Sequence, residues 1–129
     1  MPSALRLTRI GDRFLKELSV MLAKEEIRDP RLAGISITEV KVDRELSYAD
    51  IYVSAVEGAA REKEVLAGLE SASGFIRKVL SERIELRSFP RLRFRWDSTP
   101  ERADRIEQLL ASIHTEEEQR KKHDDRQPD

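Results

Sequence analysis

The sequence predicts an α+β domain in which helices cover one face of a small mixed sheet. Three observations predict it. Apolar residues recur at spacings of three and four in three separate stretches. Two segments rich in β-branched residues lie between the first and second of these stretches. A third, alternating segment follows the second stretch, so the second and third strands flank a helical crossover. The implied order is α-β-β-α(α)-β-α, with the helices on one face of three strands. A chain of 129 residues suits one such domain.

The first helix is carried by Leu7, Ile10, Phe14, Leu18, Met21 and Leu22, which share one face over roughly residues 5–26. Arg28-Asp29-Pro30-Arg31 is expected to stop it, because the residue before a proline disfavours helix. "ISITEVKV" (35–42) reads as the first strand. Ile35 and Ile37 have one parity, Val40 and Val42 the other, and a bulge or twist near Thr38-Glu39 could bring all four to one side. Asp43-Arg44-Glu45-Leu46 is a plausible hairpin turn. "YADIYVSAV" (48–56) then alternates, with Ala49, Ile51, Val53 and Ala55 inward and Tyr48, Asp50, Tyr52 and Ser54 outward.

After Gly58-Ala59-Ala60 a helix starts near Glu62. Val65, Leu66, Leu69, Ala72, Ile76, Val79, Leu80 and Ile84 form its stripe. The stripe keeps phase, but Ala72-Ser73-Gly74 lies in its middle. Glycine and serine both weaken a helix interior, and Phe75 falls off the stripe's edge. One helix over 62–85 would run about 36 Å, longer than a domain of this size is wide. A kink or break at residues 72–74 is therefore expected. It would open a helix N-terminus at Phe75 with Arg77 and Lys78 in its first turn, a place suited to an anion.

In the third strand Leu92, Phe94 and Trp96 alternate with Arg91, Arg93 and Arg95. A last, short helix is expected from Ser98 or Thr99 as cap, with Pro100 and Glu101 in its first turn and Ile106, Leu109, Leu110 and Ile113 as its apolar face. Residues 115–129 contain no apolar residue and are expected to be a disordered charged tail. Residues 1–114 then form the domain.

Composition excludes several functions. The absence of cysteine rules out thiol chemistry, disulfides and cysteine metal sites. No run of about 18 apolar residues exists, and the N-terminus turns polar too early for a signal peptide. A soluble, cytoplasmic protein is expected. The two histidines, His114 and His123, fall at the end of the last helix and in the tail, far from anything that could complete a metal or nucleophile site. Asp97, Glu101 and Asp104 stand near a helix start, where capping explains them. No phosphate-loop motif is present. No catalytic residue, metal or cofactor is expected.

The net charge of −1 is unevenly placed. Between residues 75 and 96, Arg77, Lys78, Arg83, Arg87, Arg91, Arg93 and Arg95 stand against Glu82 and Glu85 alone. Local basic density, not the total, sets affinity for phosphate. Two readings stand for the β-strand arginines: an RNA-contacting face, or a solvated face that discourages edge aggregation. Phe94 and Trp96 share parity with Leu92 and belong to the core.

In order and spacing, Asp29-Pro30-Arg31, Ala49-x-Ile51-Tyr52-Val53, Gly74-Phe75-Ile76-Arg77 and Arg87-x-x-Pro90-x-Leu92-x-Phe94-x-x-Asp97 form a specific set. With them the chain resembles the ribosome-binding factor A family over about Arg6 to Ile113. It departs from that pattern at Asp43-Arg44-Glu45-Leu46, where many members have Ser-x-Asp-Leu, and at Ala103, where glycine is frequent. The resemblance implies a type II KH-like domain in which an Ala-x-Gly kink, here Ala72-Ser73-Gly74, replaces the Gly-x-x-Gly loop. It implies a non-catalytic assembly factor that binds 16S rRNA in the free 30S subunit and supports late maturation, including processing of the 16S rRNA 5′ end. No small-molecule substrate and no membrane are implied, and the protein is expected to act as a monomer. The RNA-binding residues expected on this basis are Arg77, Lys78, Arg87, Arg91, Arg93 and Arg95. The competing expectation is a protein–protein adaptor whose sheet edge or first helix docks a partner.

Overall fold

Helix α1 (Ala4–Ala23) opens where Ser3 caps it, its hydroxyl accepting a hydrogen bond from the Arg6 N–H at 3.2 Å. Strands β1 (Ile35–Val42) and β2 (Tyr48–Ala55) follow, then α2 (Glu62–Arg83), β3 (Arg91–Trp96) and α3 (Thr99–Arg126). Short 3-10 turns occupy Pro30–Leu32 and Gly58–Arg61. The structure is a computed structural model describing residues 3–126, in two compact units that part between Asp97 and Ser98.

The first unit holds the three-stranded sheet in the order β1-β2-β3. β1 pairs antiparallel with β2, and β3 pairs parallel with β2, so the sheet is mixed as expected. The register shifts between Ile37 and Glu39, leaving Thr38 as the extra residue of a bulge. The consequence is the expected one: Ile35, Ile37, Val40 and Val42 lie opposite Ala55, Val53, Ile51 and Ala49, and all face the core. The Thr38 hydroxyl lies 2.6 Å from Asp97 Oδ2, to which it donates, tying the bulge to the residue that follows β3. The turn after β1 is held by Asp43, whose carbonyl accepts from the Leu46 N–H and whose Oδ1 accepts from the Ser47 and Tyr48 N–H groups.

Helices α1 and α2 cover one face of the sheet. Phe14, Leu18 and Met21 from α1 meet Val65, Leu69, Ile76 and Leu80 from α2 over Ala49, Ile51 and Val53 of the central strand. Gly11 is what lets α1 lie close to β1, because a Cβ there would sit 2.6 Å from the Val40 carbonyl oxygen. α1 ends well before Pro30. The Glu25 N–H bonds to the Leu22 carbonyl and the Glu26 N–H to the Met21 carbonyl, with Glu25 at φ 53°. This is a Schellman motif built on a glutamate, a terminator with no sequence signature of its own. Between the helices, Arg83 pairs with Glu26 at 2.9 Å and Glu17 at 3.7 Å. At the other end of α2, Arg61 donates to the Ala33 and Arg31 carbonyls and so fixes the chain between α1 and β1.

Two sequence expectations are corrected. α2 runs without interruption through Ala72, Ser73 and Gly74, so no second helix N-terminus opens at Phe75. Burial explains the outcome. Val65 and Leu69 before the glycine and Ile76 and Leu80 after it are all almost fully buried on one face. That gain outweighs the roughly 1 kcal/mol cost of a helical glycine. Phe75 is left on the exposed side, 47% accessible, and is not turned inward.

The second correction concerns the chain from residue 115. It is not irregular there: α3 continues through it to Arg126. Good helix formers fill the stretch, and local bonds support it, such as Thr115 Oγ1 to the Ala111 carbonyl and His114 to Glu118 at 3.1 Å. In this second unit Ile106, Leu109, Leu110 and Ile113 are each more than half exposed. Residues 127–129 of the expected tail lie outside the described residues.

Candidate nucleic-acid interface

The face of the sheet opposite α1 and α2 carries Glu39 and Lys41 from β1, Tyr48, Asp50 and Tyr52 from β2, and Arg91, Arg93 and Arg95 from β3. The alternation of each strand puts them there, and the parallel register sets the rows. Tyr48 stands beside Arg91, Asp50 beside Arg93, and Tyr52 beside Arg95.

Asp50 organises this face. Arg93 donates to it twice, Nε to Oδ1 at 2.7 Å and Nη2 to Oδ2 at 3.1 Å. Arg95 adds a third bond, Nε to Oδ1 at 3.1 Å. Partial burial raises the Asp50 pKa, but the hydrogen bonds and charges of Arg93 and Arg95 outweigh it, and the carboxyl is held below the usual aspartate value. The same geometry lays the Arg93 guanidinium over the Tyr48 ring, 4.1 Å from its centroid. Lys41 Nζ lies 5.6 Å from the Tyr52 ring. The Arg91 side chain makes no ion pair or hydrogen bond with another described residue.

The six basic residues expected to bind RNA are therefore not one patch. Arg91, Arg93 and Arg95 are brought together on the open face. Arg77 and Lys78 project from the solvent side of α2, which lies across the sheet's other face. Arg77 reaches the Phe89 carbonyl at 3.3 Å and lies over its ring, while the Lys78 side chain is exposed and unpaired among the described residues. Arg87 is exposed in the connection between α2 and β3. Gly74 faces open space, with nothing within 4 Å of a Cβ built on it. Leu92, Phe94 and Trp96 pack against the core, as their parity predicts.

Sequence reasoning missed Asp50 and Lys41 as members of the site. Asp50 had the outward parity of β2, which is the signal that could have found it. Its pairing with arginines more than 40 positions later needed the β2–β3 register.

An antiparallel β1-β2 hairpin, a crossover helix and a parallel β3, with both main helices on one face, define an α+β domain of the type II KH-like class. A model of the ribosome-binding factor A family matches residues 6–110, and the chain belongs to that family. Ribosome-binding factor A of Halothermothrix orenii is 38% identical over 113 residues, covering 88% of this chain and 92% of its own. The crystal structure of ribosome-binding factor A from Thermus thermophilus superposes with a TM-score of 0.53 at 28% identity, over 65% of this chain and 92% of that one. A homology model of the Thermus thermophilus factor, fitted into the cryo-electron microscopy map of its complex with the 30S subunit, gives 0.52 at 28% identity, over 67% and 96%.

Proposed function

We propose that this protein is a ribosome-binding factor that associates with the free 30S subunit through 16S rRNA and supports late maturation of that subunit, including processing of the 16S rRNA 5′ end. The observation that carries the reading is the family relation joined to the fitted 30S complex of a relative whose chain is covered almost completely. The open sheet face supports an RNA partner. It presents four cations, Lys41, Arg91, Arg93 and Arg95, against Glu39 and Asp50. Arg77, Lys78 and Arg87 offer a second contact to a partner that reaches around the domain.

The protein acts by binding, not by cutting the RNA. Binding energy favours one rRNA arrangement over another, and separate nucleases process the end. The binding surface lies within residues 1–114.

Co-sedimentation with purified free 30S subunits, across a salt series, tests the reading. Arg91→Glu is the clean variant, because the Arg91 side chain has no partner among the described residues whose loss would disturb the fold. Expected are salt-sensitive binding to free subunits, weaker binding to joined ribosomes, and a shallower salt dependence for the variant. Salt-insensitive binding to a protein component, with Arg91→Glu unaltered, would instead support an adaptor.

A further inference from the structure

We infer that the open sheet face takes single-stranded RNA, holding unstacked bases on Tyr48–Arg93 and on Tyr52, and does not grip a duplex by its phosphates. The inference rests on the rRNA-binding reading and specifies the form of RNA at that surface.

Three features of the face carry it. First, one edge of the Arg93 guanidinium is already committed. Its Nε and Nη2 edge is already spent on both oxygens of Asp50. Its guanidinium carbon lies over the Tyr48 ring, 4.1 Å from the centroid, and the side chain is 43% exposed. A guanidinium so held is a platform for a nucleobase, because its orientation needs no further ordering on binding.

Second, Asp50 also engages Arg95. The carboxylate offsets part of the charge that a row of three arginines would otherwise turn on a duplex backbone. Arg91 is the β3 cation whose side chain has no partner among the described residues, and it stands beside Tyr48 in the β2–β3 register. One phosphate grip beside one stacking platform suits a strand more than a double helix.

Third, Tyr48 and Tyr52 lie on the same face of β2 four residues apart, about 13 Å at the rise of a strand. Adjacent bases stacked about 3.4 Å apart do not reach from one ring to the other, whereas bases splayed along an extended strand of a few nucleotides do. Both rings are half-buried and each carries a cation, Arg93 on one and Lys41 on the other. That arrangement holds the rings still and adds positive potential where a base and its phosphate would lie.

The test is fluorescence anisotropy with a uridine-rich single-stranded oligoribonucleotide and with the same strand in a duplex. The variants are Tyr48→Leu/Tyr52→Leu, which removes the rings but keeps apolar cover, and Tyr48→Phe/Tyr52→Phe, which restores the rings. The wild type is expected to prefer the single strand. The leucine pair should weaken single-strand binding by about tenfold or more while leaving the salt slope unchanged, and the phenylalanine pair should recover most of the loss. Arg91→Ala should lower the salt slope by about 0.7, the value for one single-strand phosphate. Equal affinity for the duplex, or full binding by a folded leucine pair, overturns the inference and leaves 30S binding to stand on its own test. No binding of either RNA, together with no binding of free subunits, overturns both readings.

Discussion

The two faces of the sheet are held by different forces. On the covered face, Ala49, Ile51 and Val53 of β2 are wholly buried under α1 and α2, and stability comes from apolar area and close packing. On the open face the same strand contributes Tyr48, Asp50 and Tyr52, and order comes from ion pairs and ring–cation contacts at 43–49% arginine exposure. Exposed ion pairs add little stability, typically about 0–1 kcal/mol. What they do here is fix direction. Alternate residues of β2 thus divide the work, one set making the fold and the other orienting cations. A basic count along β3 misses this, because two of its three arginines share one carboxylate.

The comparison can be broken or sharpened by substitution, beginning with the largest effect. Ile51→Ala removes a fully buried side chain from the central strand and should cost about 2–5 kcal/mol in chemical denaturation. A loss below about 1 kcal/mol would mean the covered face is not close-packed. Gly11→Ala should cost about 1–3 kcal/mol, since its methyl meets the Val40 backbone and no flexible side chain can yield. Gly74→Ala should do the reverse on the solvent side of α2. Its methyl enters open space, so helix propensity predicts a gain of about 1 kcal/mol with 30S binding unchanged. Lost binding at raised stability would mean that the partner approaches the Gly74 backbone itself and not only the Arg77 and Lys78 side chains beside it. Asp50→Asn is expected to have the smallest effect on stability, below about 1 kcal/mol at neutral pH.

That last substitution also has a pH signature. The Asp50 pKa is lower in the folded protein than in the unfolded chain. Its contribution is therefore complete above the ordinary aspartate value and is lost as pH falls through the folded value. Melting temperatures of wild type and Asp50→Asn should differ at neutral pH and converge in acid. A difference that persists at strongly acid pH would assign the effect to packing and not to charge.

Most of the covered face was legible in the sequence. The alternation of β2 and β3 and the parity change in β1 named the inward residues, and pointed to a bulge or twist near Thr38-Glu39 that the structure resolves as a bulge at Thr38, because a period of two leaves each residue only two choices. The course of α2 was less legible. Ala72-Ser73-Gly74 gave a local signal for a break, but the buried residues on either side decided the matter, and their total is set by tertiary packing. The stop of α1 turned on Glu25 taking a left-handed conformation, which glutamate composition does not announce. Helix beyond residue 115 was missed because its sequence has no apolar periodicity, only propensity and local pairing. The basic residues of the candidate site were named in advance, but their division between two sides of the sheet required the topology.

Crosslinking on purified free 30S subunits, with positions mapped on both rRNA and protein, tests the central claim most directly. The account predicts crosslinks from 16S rRNA to the open face, at Tyr48, Tyr52 and the Arg91–Arg95 segment. Crosslinks confined to α1 or to ribosomal proteins, with none on that face, would contradict it.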